Sequence, residues 1–170
     1  MTFSVDKGEV IALIGPSGSG KSTLLRVLMG LLPPTAGHVR VAGLPIDYGS
    51  RKSVRAARER MAIVFQQYNL FQNMDVMRNV TISPIKIKKR PRAEVEREAA
   101  ALLAKVGLSE KHHAYPDELS GGQRQRVGVA RALVGGRRLI LADEATGALD
   151  SETSRSIYQL LAELAADGTT

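Results

Sequence analysis

The stretch Gly15-Pro16-Ser17-Gly18-Ser19-Gly20-Lys21-Ser22-Thr23 constrains this chain more than any other. It matches G-x-x-x-x-G-K-[ST], with an apolar run at residues 9–14 (EVIALI) before it and KSTLLRVLMGLL running on from its Lys21. A nearly continuous apolar run of that length suits a strand buried on both faces of a sheet. The segment after the loop reads as a helix ended by Pro33-Pro34. Strand, glycine-rich loop and helix in that order form a phosphate grip. Glycines let successive backbone N–H groups curl around an anion without Cβ clashes, and the helix N-terminus adds partial positive charge. Lys21 is then expected to reach the β- and γ-phosphates, and the Ser22 hydroxyl to ligate Mg²⁺.

Two further sites narrow the chemistry. Leu139-Ile140-Leu141-Ala142-Asp143-Glu144 is an apolar strand ending in two carboxylates. In a parallel sheet the carboxyl end of a strand faces the ligand crevice. Asp143 there is expected to hold the magnesium shell, and Glu144 to orient and deprotonate an attacking water. Leu119-Ser120-Gly121-Gly122-Gln123 opens a helix expected over about 121–134 and stopped by Gly135-Gly136. It is a second anion grip, with small residues, free helix N–H groups and a serine hydroxyl. Two such grips about a hundred residues apart point to one nucleotide held between two protein copies.

The rest of the sequence places these sites in one α/β domain. The chain has 170 residues, 44% hydrophobic and 24% charged, an ordinary globular mix for a single domain. It has no cysteine, which excludes disulfide scaffolds, thiol catalysis and Cys-ligated zinc. The longest apolar runs, such as residues 10–14, are far too short to span a bilayer, and the N-terminus has no secretion signal. The chain therefore reads as a cytoplasmic, soluble domain. Its net charge is +7, with basic clusters at Arg51–Arg60, Lys86–Arg92 and Arg137-Arg138. It has three Phe, four Tyr and no Trp, so few rings are available to stack bases, and the basic face reads as solvated rather than nucleic-acid binding.

Residues 38–42 and 61–65 read as strands, and residues 51–60 as a basic surface helix. Val95, Ala99, Leu102, Leu103 and Val106 share one helical face. A last helix is expected to be capped by Asp150 or Ser151, with Ile157, Leu160, Leu161 and Leu164 on one side. Between Gln66 and Gly136 strand signals are few, so a mostly helical insert interrupts the α/β segment. The pair His112-His113 reads as a solvated turn rather than a metal site.

Together these motifs resemble the nucleotide-binding subunit of ATP-binding-cassette (ABC) transporters, over essentially the whole chain. GPSGSGKST is similar to the family's Walker A, LILADE to its Walker B and LSGGQ to its signature motif. Gln66 matches the Q-loop glutamine, and Ala148-Leu149-Asp150 the D-loop. The resemblance implies a P-loop NTPase (RecA-like) α/β core with a small antiparallel β part and an inserted, mostly helical subdomain. Residues 1–66 and 137–170 would form the core, and about 67–136 the helical subdomain.

It also implies hydrolysis of ATP to ADP and phosphate, with Mg²⁺. Residues Gly15 to Thr23 would bind ATP, and Ser120, Gly121, Gly122 and Gln123 would grip the ATP of a partner subunit. Ser22, Gln66 and Asp143 would surround the metal, Glu144 would be catalytic, and Asp150 would communicate across the dimer. The implied partners are a second copy or a homologous ATPase subunit, transmembrane permease subunits and, indirectly, a solute-binding protein. The implied location is the cytoplasmic face of the inner membrane, with no nucleic acid involved.

FQQYNLFQNMDVMRNVTISPIKIKK and AYPDELSGGQRQRVGVARAL are similar to polar amino-acid importers, whereas Gly147 in ADEATGALD leans toward lipoprotein-release or macrolide-export types. Some positions depart from the pattern. Ala145 stands where the family usually has Pro. The family's nucleotide-stacking aromatic falls upstream of residue 1, and Phe3 is a poor substitute. The switch histidine falls beyond residue 170, and His38, His112 and His113 stand elsewhere. The chain thus reads as a family member shortened at both ends, with a non-catalytic fragment as the alternative. LSGGQ argues against a P-loop kinase. ABC ATPases acting on DNA or ribosomes usually carry paired cassettes or a long coiled-coil insert, and neither fits this chain.

Overall fold

The computed structural model describes residues 2–65, 68–137, 139–143 and 151–166. Its helices are α1 (Lys21–Leu28), α2 (Arg51–Arg58), α3 (Val76–Lys86), α4 (Arg92–Lys105), α5 (Gly121–Leu133) and α6 (Ser151–Ala166). Its strands are β1 (Arg40–Val41), β2 (Leu44–Pro45), β3 (Met61–Phe65) and β4 (Leu139–Asp143). β1 and β2 form a short antiparallel hairpin, and β3 and β4 a parallel pair.

The parallel pair divides two hydrophobic cores. Side chains alternate across a strand, and the register sets Met61 beside Leu139, Ala62 beside Ile140 and Ile63 beside Leu141. Met61, Ile63, Leu139 and Leu141 pack into a first core with Leu25 of α1, Ala57 of α2, and Val41 and Ile46 of the hairpin region. Ala62, Val64 and Ile140 face a second core built from α3, α4, α5 and α6, centred on Val80, Val95, Leu103, Val127 and Val129. Both faces of the pair are therefore covered, as the near-continuous apolar runs MAIVF and LILA require.

α1 ends on glycine. Gly30 has φ +68°, a conformation that L-residues rarely adopt. A Cβ there would lie 2.9 Å from Val54 Cγ1. Arg58 of α2 caps this end, donating from Nε to Met29 O (2.8 Å) and from Nη2 to Gly30 O (3.2 Å). The half-buried Tyr48 donates its hydroxyl to Val27 O at 2.7 Å, and burial raises its pKa above the usual phenol value. The phosphate-loop helix is thus anchored at its far end by the basic helix α2.

In the second core, Asn79 is fully buried on α3. Its Oδ1 accepts from Phe71 N–H at 2.8 Å, and its Nδ2 donates to the carbonyls of Phe71 (3.1 Å), Met74 (2.8 Å) and Asp75 (3.0 Å). One side chain thereby fixes the turn that leads into α3. On α4, Glu98 accepts from Gly135 N–H at 2.7 Å and pairs with Arg90 at 2.8 Å, tying the end of α5 to α4. Arg90 also pairs with Glu94, and Arg92 with Glu96, so part of the Lys86–Arg92 basic cluster is neutralised locally.

Several expectations change. Residues 9–14 form no strand; they are exposed, Val10 by 64% and Ile14 by 95%. A buried strand needs ladder partners and cover on both faces, and here β3 and β4 alone of the parallel type have them among the described residues. The strand expected at 38–42 is reduced to Arg40–Val41, because left-handed Ala42 (φ +50°) and Gly43 (φ +77°) turn the chain at once into β2. α1 stops at Leu28, well before Pro33-Pro34, because left-handed Gly30 ends it first. α3 was not anticipated. Its helical period is blurred by Asn79, Thr81 and Pro84, all buried although polar or helix-breaking. Its N-cap, Asp75 accepting from Arg78 N–H at 2.7 Å, is the local signal that marks it.

Replacing Asn79 with Ala should strand the Phe71 amide and several carbonyls inside the second core. We expect a loss of about 2–4 kcal/mol, read as a lower urea midpoint at unchanged m-value. Gly30→Ala should cost about 1–2 kcal/mol from left-handed strain, with repulsion from Val54 adding to it. Thermal melting should show a midpoint several degrees lower.

Candidate nucleotide-binding site

The phosphate loop is built on backbone that only glycine supplies comfortably. Gly18 and Gly20 have φ +79° and +93°, and a Cβ at either would meet no atom within 4 Å, so the backbone there is open to an approaching group. Gly15 is different: a Cβ would lie 2.9 Å from Ser19 Oγ, so its glycine keeps the loop tight. Ser19 N–H donates to Pro16 O at 3.2 Å, closing the turn. Lys21 donates from Nζ to Gly15 O (2.8 Å) and Pro16 O (3.0 Å), which holds its ammonium against the loop. Gly20 is the N-cap of α1 and offers no side-chain acceptor, and the first turn of α1 carries no acidic residue. The positive end of that helix thus has no acidic residue in its own first turn. These features fit a polyphosphate.

Asp143 ends β4 and stands in register with Phe65, the last residue of β3. Because the strands are parallel, their carboxyl ends lie at one edge, and the chain continues from there into Gln66 and Glu144. Gln66, Glu144 and Asp150 lie outside the described residues. Among the described residues no three His, Cys, Asp or Glu side chains cluster as a metal site. The expected donor set, Ser22, Gln66 and Asp143 with phosphate oxygens, is the hard, oxygen-only kind that suits Mg²⁺, which keeps few protein ligands.

The signature turn is a capping box. Ser120 Oγ accepts from Gln123 N–H at 3.2 Å, and Gln123 Oε1 accepts from Ser120 N–H at 2.9 Å. That bond uses an oxygen lone pair of Ser120 and leaves its hydroxyl proton to donate elsewhere. Ser120 is exposed, Leu119 is buried beneath it, and the first turn of α5 has no acidic residue. This terminus therefore presents a hydroxyl donor and helix N–H groups outward. The two grips stand on different cores, α1 on the first and α5 on the second.

The structure adds residues that the motifs did not single out. Arg124, one turn into α5, lies over the Tyr68 ring at 5.3 Å from its centroid and donates to Pro116 O at 3.4 Å. Arg131, near the end of α5, donates to Asn69 O (2.7 Å) and Tyr68 O (2.9 Å). Burial lowers the Arg131 pKa from the usual guanidinium value; an arginine starts high enough to stay charged. Arg126 donates to Ser156 Oγ of α6 at 2.7 Å. Periodicity gives no hint of these contacts, since each arginine looks like an ordinary surface cation in the sequence.

Comparison with known proteins agrees with this geometry. The sequence pattern of the family described as "ABC transporter" matches residues 1–147. The methionine import ATP-binding proteins MetN of Symbiobacterium thermophilum and Mesorhizobium japonicum are each 49% identical over 164 residues, which is 96% of this chain but 49% and 45% of those proteins. The chain spans about half the length of these curated relatives. Among solved structures, cbiO1 from Clostridium perfringens, part of the ABC transporter complex cbiONQ, is similar with a TM-score of 0.92 and 32% identity over 99% of this chain and 67% of that one. The dimeric ATP-binding cassette MJ0796, in a post-hydrolysis state bound to ADP and Pi, gives a TM-score of 0.83 and 37% identity over 99% of this chain and 75% of that one. With its phosphate loop, parallel strand pair and capped signature turn, the chain belongs to the ABC transporter family and has that family's P-loop α/β fold.

Proposed function

We propose that this chain binds and hydrolyses ATP to drive import of an amino acid through membrane permease subunits. The observation that carries the reading is the phosphate loop, with Lys21 Nζ held at Gly15 and Pro16 and open backbone at Gly18 and Gly20. Gly15, Pro16, Ser17, Gly18, Ser19 and Gly20 wrap the phosphates, Lys21 neutralises the β- and γ-oxygens, and Ser22 and Thr23 begin the helix behind them. Ser22, Asp143 and Gln66 would hold Mg²⁺, which when bound withdraws charge from the phosphate oxygens.

Glu144 orients a water and takes its proton as the water oxygen attacks the γ-phosphorus. The bond to the bridging oxygen breaks, leaving ADP and phosphate. The Ser120, Gly121, Gly122 and Gln123 turn of a second copy donates to the same γ-phosphate, so ATP joins two subunits head to tail. Asp150 communicates across that joint. Closing and opening of the pair would reach the permease through the helical part, about residues 67–136, moving against the core formed by 1–66 and 137–170.

Among the described residues no helix is long and apolar enough to cross a membrane. We place the chain peripherally at the cytoplasmic face of the inner membrane, held by the permease, with a solute-binding protein as indirect partner. The named relatives are methionine import ATP-binding proteins, which supports an amino-acid cargo. The motif resemblance adds a second reading, a polar amino acid.

Two variants test the mechanism in the full-length protein. Glu144→Gln should keep ATP binding, accumulate an ATP-bound dimer and lose turnover by about 10²–10⁴-fold, as removal of a general base does. Near-normal phosphate release would remove Glu144 from the role of base. Lys21→Ala should abolish nucleotide binding, and retained affinity would undo the loop assignment. Uptake into vesicles carrying the permease identifies the cargo. Labelled methionine should accumulate with ATP, competition by histidine or glutamine would shift the cargo to the polar class, and transport of no amino acid would sink the import reading.

A further inference from the structure

The two donor contacts of Arg131 join parts of the chain that the proposed function asks to act together. Arg131 lies on α5, the helix that opens with the signature turn at Ser120. Its acceptors, the carbonyls of Tyr68 and Asn69, follow Gln66 by two and three residues. Asn69 has φ +47°, in the left-handed region where successive carbonyls turn to one side rather than alternate as in a strand. The guanidinium serves the two oxygens from two nitrogens, Nη1 and Nη2, held in one rigid plane, whereas an ammonium would have to serve both from a single nitrogen on a flexible stem. Arg124 engages the same segment through a side chain, with its guanidinium over the Tyr68 ring. Two arginines of one helix thus hold one short piece of chain, by its carbonyls and by its aromatic face.

We infer that Arg131 is a positioning residue: its bidentate grip on Tyr68 and Asn69, backed by Arg124 on the Tyr68 ring, makes helix α5 and the chain just after Gln66 move as one body. The inference rests on the reading that the Ser120 turn grips the ATP of a second copy. Under it, a shift of the segment after Gln66 pulls directly on the helix whose N-terminus meets the partner's nucleotide. In this role Arg131 acts through the segment it holds, by its two carbonyl contacts. Losing it leaves the phosphate loop, on the other core, able to bind nucleotide. What suffers is the closing of two loaded subunits on one another, because the signature turn no longer follows the nucleotide-sensing segment. Coupling between two sites of a protein is commonly worth about 5–150-fold in affinity.

The test uses the full-length chain carrying Glu144→Gln, so that closed dimers persist. Three quantities are read with and without Arg131→Lys: affinity for a fluorescent ATP analogue, Mg·ATP-dependent dimerisation by sedimentation, and the melting temperature. The expected result is nucleotide affinity within about twofold of the parent, melting within a few degrees, and dimerisation weakened by about tenfold. Arg124→Leu, which removes the stack and leaves the two carbonyl bonds, should weaken dimerisation in the same direction but less. Parent-like dimerisation in Arg131→Lys overturns the inference. So does a fall in nucleotide affinity or melting temperature large enough to account for the lost dimer, since that is what a purely structural arginine gives. If the Glu144→Gln parent itself forms no ATP-dependent dimer, the two-copy reading fails and the role of Arg131 fails with it. If the parent dimerises and the variant matches it, only the role of Arg131 fails.

Discussion

Period-two alternation in one parallel strand pair organises the protein. Met61, Ile63, Leu139 and Leu141 point into one core, and Ala62, Val64 and Ile140 into the other. The phosphate-loop helix belongs to the first core through Leu25, and the signature helix to the second through Val127 and Val129. The helices that follow the phosphate loop and the signature turn therefore pack on opposite faces of the same ten-residue sheet, and in sequence its strands run on into Gln66 and Glu144. Burial of apolar side chains supplies the driving force on both faces. The ladder supplies direction, because it is what makes both strands end at the same edge.

That division also explains how the signature helix can be a hub. α5 runs through the second core, with Val127, Gly128, Val129 and Ala130 all buried. Its arginines leave the apolar face and find backbone oxygens or hydroxyls on three other parts of the chain: Pro116 and Tyr68–Asn69, and Ser156 on α6. Donors on a rigid helix meeting acceptors on loops give directional joints where apolar packing alone would let elements slide.

Much of this was readable in the sequence where local and global signals agree. The runs MAIVF and LILAD are apolar, short and bounded, and they became β3 and β4. Ser120 with Gln123 spells a capping box, and Gly135-Gly136 a stop, so α5 starts where expected and ends within a residue of expectation. The stripe Val95, Ala99, Leu103 is the buried face of α4. Residues 9–14 have the same apolar texture as β3 but no ladder partner among the described residues, and texture cannot report whether a partner is at hand. α3 escaped for the opposite reason: its buried face carries Pro84, a helix breaker, with Asn79 and Thr81, whose side-chain bonds are satisfied within the turn and helix. In the candidate site the geometry of the phosphate loop and of the Ser120 turn was legible, because glycines that supply left-handed backbone and a serine–glutamine capping pair stand at fixed spacing. The contacts of Arg124 and Arg131 were not, because a guanidinium reaching the ring of Tyr68 or the carbonyls of Tyr68 and Asn69, far away in sequence, leaves no trace in local spacing.

The register of β3 against β4 has a bearing on how such a chain can change over evolutionary time. A single inserted or deleted residue within either strand would reverse which side chains enter which core and, in the same stroke, shift Asp143 one step along the ladder. Volume-conserving exchanges among Val, Ile and Leu leave both untouched. Length variation is thereby driven out of these ten positions and into the turns between helices, while the strands themselves drift only in the size of their side chains.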